Sequence, residues 1–127
     1  MRVIIVRHAK AEPGDPDELR PLAPRGREQA RELGELLAAK HPDSVVSSPL
    51  LRARETAAPI AAAAGVEVVV DERLAPGATT EDLRAAVEGR GVTVVTVGHA
   101  PDCDEILLEL TGRDMHFATG AYAEVEL

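Results

Sequence analysis

Val3-Ile4-Ile5-Val6-Arg7-His8-Ala9 is the stretch on which the reading of this chain turns. Four consecutive β-branched residues predict a strand covered on both faces, as in a parallel sheet flanked by helices. The run stops at a guanidinium and an imidazole. In open α/β sheets ligands bind in the crevice beyond the carboxyl ends of the strands, so Arg7 and His8 fall where a ligand is expected. An imidazole there can act as a nucleophile, and a neighbouring Arg can hold the anion it attacks. Residues 10–21 are polar and carry Pro13, Gly14, Asp15, Pro16 and Asp17 in succession, which predicts a loop leaving directly from the pair.

The same alternation continues along the chain. Residues 24–40 predict a helix, with Ala30, Leu33 and Leu37 at three- and four-residue spacing and Pro24 suited to its first turn, although Ala23 offers no capping oxygen. Val45-Val46 reads as a short second strand. Ser48 is an expected N-cap and Pro49 an expected first residue of a helix running to Gly65, kinked or broken at Pro59. Residues 66–70 form an expected third strand. Thr79 or Thr80 caps a short helix through Val87, with Glu81 and Asp82 in its first turn. Residues 92–97 are a fourth strand ending at Gly98-His99. Pro101 opens a helix whose apolar stripe is Cys103, Ile106, Leu107 and Leu110 and which Gly112 closes. Alternation over residues 121–127 predicts an edge strand. Strand following helix in this way predicts an α/β fold: a three-layer αβα sandwich on a mostly parallel central sheet, with residues 1–127 as one domain.

Composition narrows the function. The 127 residues suffice for one sizeable core, and that core is aliphatic, since Phe117 and Tyr122 are the only aromatic residues of the Phe, Trp and Tyr class. Fourteen basic against twenty-two acidic residues give a net charge of −8, which argues against nucleic acid or an anionic membrane as partner. An anion pocket in so acidic a chain must be built by local placement of Arg. Cys103 is the single cysteine, which excludes an intrachain disulfide and a Cys-based zinc site. No apolar run approaches membrane-spanning length, and a cytoplasmic location is expected. His8 and His99 lack a short-spaced metal-ligand pattern and have Arg residues around them, so neither a metal nor a cofactor is expected.

Three sites follow predicted strands: Arg7-His8, residues 47–54, and Gly98-His99. Parallel topology gathers them at one sheet edge. Imidazoles and guanidinium forks together suit a phosphoryl dianion. Arg7-His8-Ala9 resembles the Arg-His-Gly signature of the histidine phosphatase superfamily, with Ala in place of Gly. Ser47-Ser48-Pro49-Leu50-Leu51-Arg52-Ala53-Arg54-Glu55-Thr56 resembles its second motif, and Val97-Gly98-His99-Ala100-Pro101 its late motif. The three occur in family order. Arg20-Pro21-Leu22 with Gly26, Leu74-Ala75-Pro76-Gly77 and Ala118-Thr119-Gly120-Ala121 are similar to the short SixA-type phosphohistidine phosphatases. That branch implies a phosphoglycerate mutase-like fold without a cap insertion.

The resemblance implies His8 as a nucleophile that becomes phosphorylated, Arg7 and Arg52 as clamps on the phosphoryl oxygens, and His99 as a hydrogen-bonding partner to them. It implies a phosphorylated protein, or a small phosphorylated molecule, as substrate. To attack, His8 needs one ring nitrogen free, so the other is expected to donate to a backbone carbonyl within residues 10–16. Arg20 either meets substrate at the pocket rim or pairs with Asp17 or Glu18. Arg54 is expected to be peripheral, His41 to sit at a helix end, His116 in a loop, and Cys103 in the core. Many superfamily members carry a Glu two residues after the Leu of the third motif, as general acid; here that register gives Pro76. Glu72, Asp17 and Asp15 are the candidate substitutes. A missing acid handicaps alkoxide leaving groups more than imidazole. Three functions remain in view: removal of phosphate from phosphohistidine, hydrolysis of small phosphomonoesters, and a non-catalytic phosphoprotein-binding module.

Overall fold

The strand that opens the chain lies inside the sheet. The computed structural model describes residues 1–127, with elements in the order β1 (Arg2–Arg7), α1 (Pro24–Ala38), β2 (Ser44–Ser47), α2 (Leu51–Ala64), β3 (Val68–Val70), α3 (Thr80–Val87), β4 (Thr93–Gly98), α4 (Asp102–Thr111) and β5 (Tyr122–Glu126). The five strands are ordered β3-β2-β4-β1-β5. The first four pair in parallel, and β5 runs antiparallel along β1.

Side-chain alternation along β1 divides the interior in two. Val3 and Ile5 face Leu83, Val87, Ile106 and Leu107 of α3 and α4. Ile4 and Val6 face Leu33 and Leu37 of α1 and Ala57 and Ile60 of α2. A strand apolar on both faces therefore requires helices on both, which is the three-layer sandwich the sequence pattern predicts. Each fully buried Leu or Ile contributes about 1.5–3 kcal/mol to holding the layers together.

Connectivity places the crevice. From β1 the chain passes through α1 to β2, on the far side of β4; from β4 it passes through α4 to β5, on the far side of β1. Neighbouring strands thus send their connections in opposite directions over opposite faces, and a cleft opens between their carboxyl ends. The exits stay in register there: His8 N donates to Gly98 O at 3.0 Å and Ser48 N to Val97 O at 2.9 Å.

Some local expectations need correction. The third strand spans only Val68–Val70 and lies at the sheet edge, partly solvent-facing. α2 runs unbroken through Pro59, because Ala57, Ile60 and Ala61 bury that face against α1 and hold the turn in place. Ser48 does not cap α2: the helix begins at Leu51 with Leu50 as its N-cap, and the Ser48 hydroxyl serves elsewhere. Thr79 caps α3 as expected, in a reciprocal pair with Asp82. Gly112 ends α4 in the left-handed conformation, φ 76°. No helix is long and apolar enough to cross a membrane.

Gly26 explains how α1 meets the loop that leaves His8. A Cβ at this position would lie 1.9 Å from the backbone oxygen of Lys10, so the helix and the loop touch backbone to backbone. Gly26→Ala cannot be relieved by a rotamer change; it is expected to cost about 1–3 kcal/mol or more. Urea unfolding of the variant checks this, and a midpoint equal to that of the wild type would show the contact to be unimportant.

Candidate active site

β1 ends by handing Arg7 and His8 into the cleft. His8 is 7% exposed, and its Nδ1 lies 2.7 Å from the carbonyl oxygen of Ala9. A carbonyl only accepts, so Nδ1 carries the hydrogen and Nε2 keeps its lone pair. The acceptor is thus the residue next to His8, not one of residues 10–16. Ala9 itself is fully buried, and its N–H donates to Thr56 Oγ1 at 3.0 Å. Its role is carried by its backbone, which is why Ala serves where the resembling motif has Gly.

A cleft of about 350 Å³ is lined by Arg7, His8, Lys10, Ala11, Asp17, Arg20, Arg52, Pro76, His99, Ala100 and Thr119. Arg52, in the first turn of α2, is 6% exposed; its guanidinium donates to Asp17 O at 2.9 Å and to Asp17 Oδ2 at 3.2 Å. Arg7 donates to Phe117 O at 2.8 Å. The Nε of Arg7 and that of Arg52 are both buried without a protein partner. His99, 4% exposed, stands with its ring centroid 5.3 Å from that of His8 and tilted 56° to it. Its Nε2 is 2.8 Å from Ser48 Oγ, and its Nδ1 is buried without a partner. The closing segment completes the wall, since Gly120 N donates to both Arg7 O and His8 O at 3.1 and 3.0 Å.

The structure therefore brings Arg7, His8, Arg52 and His99 to one cleft. Arg20 also lines the cleft, and it pairs with Asp17 at 3.1 Å. Glu72 lies exposed on the short turn Glu72–Leu74, outside the cleft lining, so the structure does not bring this candidate acid together with the others. Asp17 does line the cleft, but hydrogen bonds from Arg20 and Arg52 hold its carboxyl below the usual range, so it rests ionised with no proton to give. Asp15 is likewise outside the lining. Arg54 is exposed and donates to Pro49 O at 2.9 Å, away from the cleft. His116 is exposed beside Asp104, and Cys103 is buried with its thiol pushed up to about 12, chiefly by that burial. No group of three or more His, Cys, Asp or Glu residues could hold a metal ion.

Ser48, Lys10 and Thr119 are the residues that pattern reading missed. Ser48 was hidden because its partner, His99, follows a strand that is distant in sequence and adjacent in space. Two hydroxyls in succession at a fully buried strand end were the available signal.

Burial sets the charge state of both imidazoles. Loss of solvent, reinforced by the positive charges of Arg52, Arg7 and Arg20 against the opposing Ala9 bond, takes His8 from 6.5 down to about 4. Burial, then His8, Arg52 and Arg7, take His99 down to about 3. Both are neutral at pH 7, and a neutral His8 is what nucleophilic attack needs.

The architecture is the phosphoglycerate mutase-like αβα sandwich without a cap insertion. A protein histidine phosphatase SixA solved with tungstate superposes with a TM-score of 0.87 at 27% identity, over 100% of this chain and 88% of the other. A protein of Agrobacterium tumefaciens, provisionally assigned as a phosphohistidine phosphatase SixA, gives 0.82 at 29% identity over 97% and 89%. Phosphoserine phosphatase 1 of Hydrogenobacter thermophilus is 37% identical over 83 residues, 58% of this chain, and the match spans only 37% of that relative's length. The family model of the histidine phosphatase superfamily (branch 1) matches residues 3–76, more than half of the chain, and the chain belongs to that superfamily.

The depressed imidazoles make stability pH-dependent. Between pH 6.5 and about 4 the unfolded chain binds protons on His8 and His99 that the folded protein refuses. Stability is therefore full above pH 6.5 and falls as pH drops through that window. The slope of unfolding free energy against pH is expected to lose about one proton in His8→Gln and another in His99→Gln. Slopes identical to wild type in urea titrations from pH 7 to 4.5 would contradict the buried neutral state.

Proposed function

We propose that this protein is a phosphatase that removes phosphate from phosphohistidine in a protein substrate, through a covalent phosphohistidine at His8. The observation that carries the reading is the His8–Ala9 hydrogen bond, which leaves Nε2 as a free lone pair in a cleft ringed by Arg7, Arg20 and Arg52. Nε2 attacks phosphorus while the phosphorus–nitrogen bond to the substrate ring breaks. Arg7, Arg52 and His99 stabilise the equatorial oxygens as charge redistributes. The departing imidazole takes a proton from water. A second water then attacks the phosphorus on His8, releasing inorganic phosphate and restoring the lone pair.

Pro76 supports this choice of leaving group. It lines the cleft at the register where the resembling family pattern has an acidic residue, so the position is present and its proton is not. An alkoxide leaves poorly without a proton, whereas an imidazole, with an ordinary pKa of about 6.5, is protonated by solvent near neutrality. Likeness to the SixA structures points the same way. The partner in this reading is a phosphorylated protein, met in the cytoplasm at an open cleft. The match to phosphoserine phosphatase 1 favours a second reading, in which the same nucleophile hydrolyses a small phosphomonoester.

Rapid quench with phosphorus-labelled phosphohistidine protein is expected to trap an acid-labile label on the wild type and none on His8→Ala. On a panel of phosphohistidine protein, phosphoserine and p-nitrophenyl phosphate, kcat/KM is expected to favour the first by about 100-fold or more. Equal turnover of all three would give the reaction to the second reading. Glu72→Gln should leave every rate unchanged, and a large loss in that variant would restore Glu72 as an acid.

A further inference from the structure

Ser48 is wholly buried and does not line the cleft, yet its hydroxyl is committed to the active-site imidazole. The hydroxyl oxygen accepts from Leu50 N–H at 3.2 Å and meets His99 Nε2 at 2.8 Å. The neighbouring Ser47 hydroxyl donates to the Ser48 carbonyl, not to its hydroxyl. The hydrogen of Ser48 therefore has one acceptor within reach, His99 Nε2, and a buried hydroxyl does not leave its hydrogen unused. A ring nitrogen that accepts carries no hydrogen, which puts the hydrogen of neutral His99 on Nδ1, the atom left buried without a protein partner.

We propose that Ser48 is a positioning residue that fixes His99 as the Nδ1–H tautomer, so that a neutral imidazole can donate to a phosphoryl oxygen held between Arg7, His8 and Arg52. The assignment rests on the reading above, in which His99 contacts the phosphoryl group. A neutral histidine has a single donor, and pointing the wrong nitrogen at an anion would oppose a lone pair to an oxygen. Ser48 removes that failure. The strand order makes it possible: Ser47 of β2 is registered on Val97 of β4, which sets the next residue, Ser48, beside the exit that carries His99.

Two readouts test this separately from turnover. In the wild type, long-range 15N–1H correlation is expected to show His99 protonated at Nδ1, with that proton shifting when inorganic phosphate is titrated in. A His99 protonated at Nε2 overturns the proposal whatever any variant does. Ser48→Ala is expected to mix the tautomers and lower kcat on phosphohistidine protein about 10- to 100-fold, with KM changed far less. Ser48→Thr, which keeps the hydroxyl, should recover both signals. An unchanged tautomer and unchanged kcat in Ser48→Ala would also overturn it. If the wild type shows the Nδ1–H form and the phosphate-induced shift but hydrolyses none of the panel, Ser48's role stands and the phosphatase reading falls.

Discussion

The hydrogen bond from His8 Nδ1 to the carbonyl of Ala9 constrains far more than one ring. It holds only if the backbone at Ala9 is itself fixed, and that residue is anchored by its N–H, which donates to Thr56 Oγ1. Thr56 in turn donates to the carbonyl of Arg52, one helical turn earlier in α2. One threonine thus ties the backbone after His8 to the first turn of α2, from which the Arg52 side chain extends. Gln29 of α1 extends the arrangement by accepting from Lys10 N at 2.9 Å. The helices on this face of the sheet therefore do two things: they bury Ile4 and Val6, and they hold the backbone that aims His8.

Electrostatics explains why imidazoles and arginines can share so tight a space. Two histidines beside three guanidinium groups are tolerable only if the rings stay neutral, which burial ensures. Each guanidinium is steadied by a backbone carbonyl, Arg7 on Phe117, Arg20 on Glu12 and Arg52 on Asp17, and a single carboxylate, that of Asp17, pairs with both Arg20 and Arg52. A carbonyl dipole orients a guanidinium without cancelling its charge. With Arg7, Lys10, Arg20 and Arg52 against the one carboxylate of Asp17, the cleft stays positive inside a chain of net charge −8. That field is aimed at the site where a phosphoryl group would bind, and it is preorganised before anything binds.

What was legible in the sequence follows from how local each signal is. The apolar run at residues 3–6 specified a doubly covered strand, and three polar clusters after strands specified where the cleft would form. Thr79 and Gly112 marked their helix ends because caps are local chemistry. The position of β4 between β1 and β2 was not legible, since no residue in any strand names its neighbour. Everything that depends on that adjacency was therefore hidden, including the use of Ser48 on His99 in place of an N-cap. Pro59 misled for the opposite reason. A local helix breaker was overridden by packing against α1, a tertiary effect that a window of sequence does not contain. Gly26 had a signal in the family-like pattern, but its physical reason, a helix touching a loop backbone, needs the fold.

The bond between Asp17 and Arg52 has a further consequence. The carboxylate stands in for an anion at a guanidinium that a phosphoryl group would need, so whatever enters must exchange with an internal occupant and is not filling a bare charge. Because Asp17 is more than half exposed on a short turn, that occupant is loosely held and easily displaced. A small anion that replaces one contact with one contact gains little from the exchange. A tetrahedral group spanning Arg7, Arg52 and His99 gains several at once. The loop leaving His8 thus carries the group that any anion reaching Arg52 has to displace.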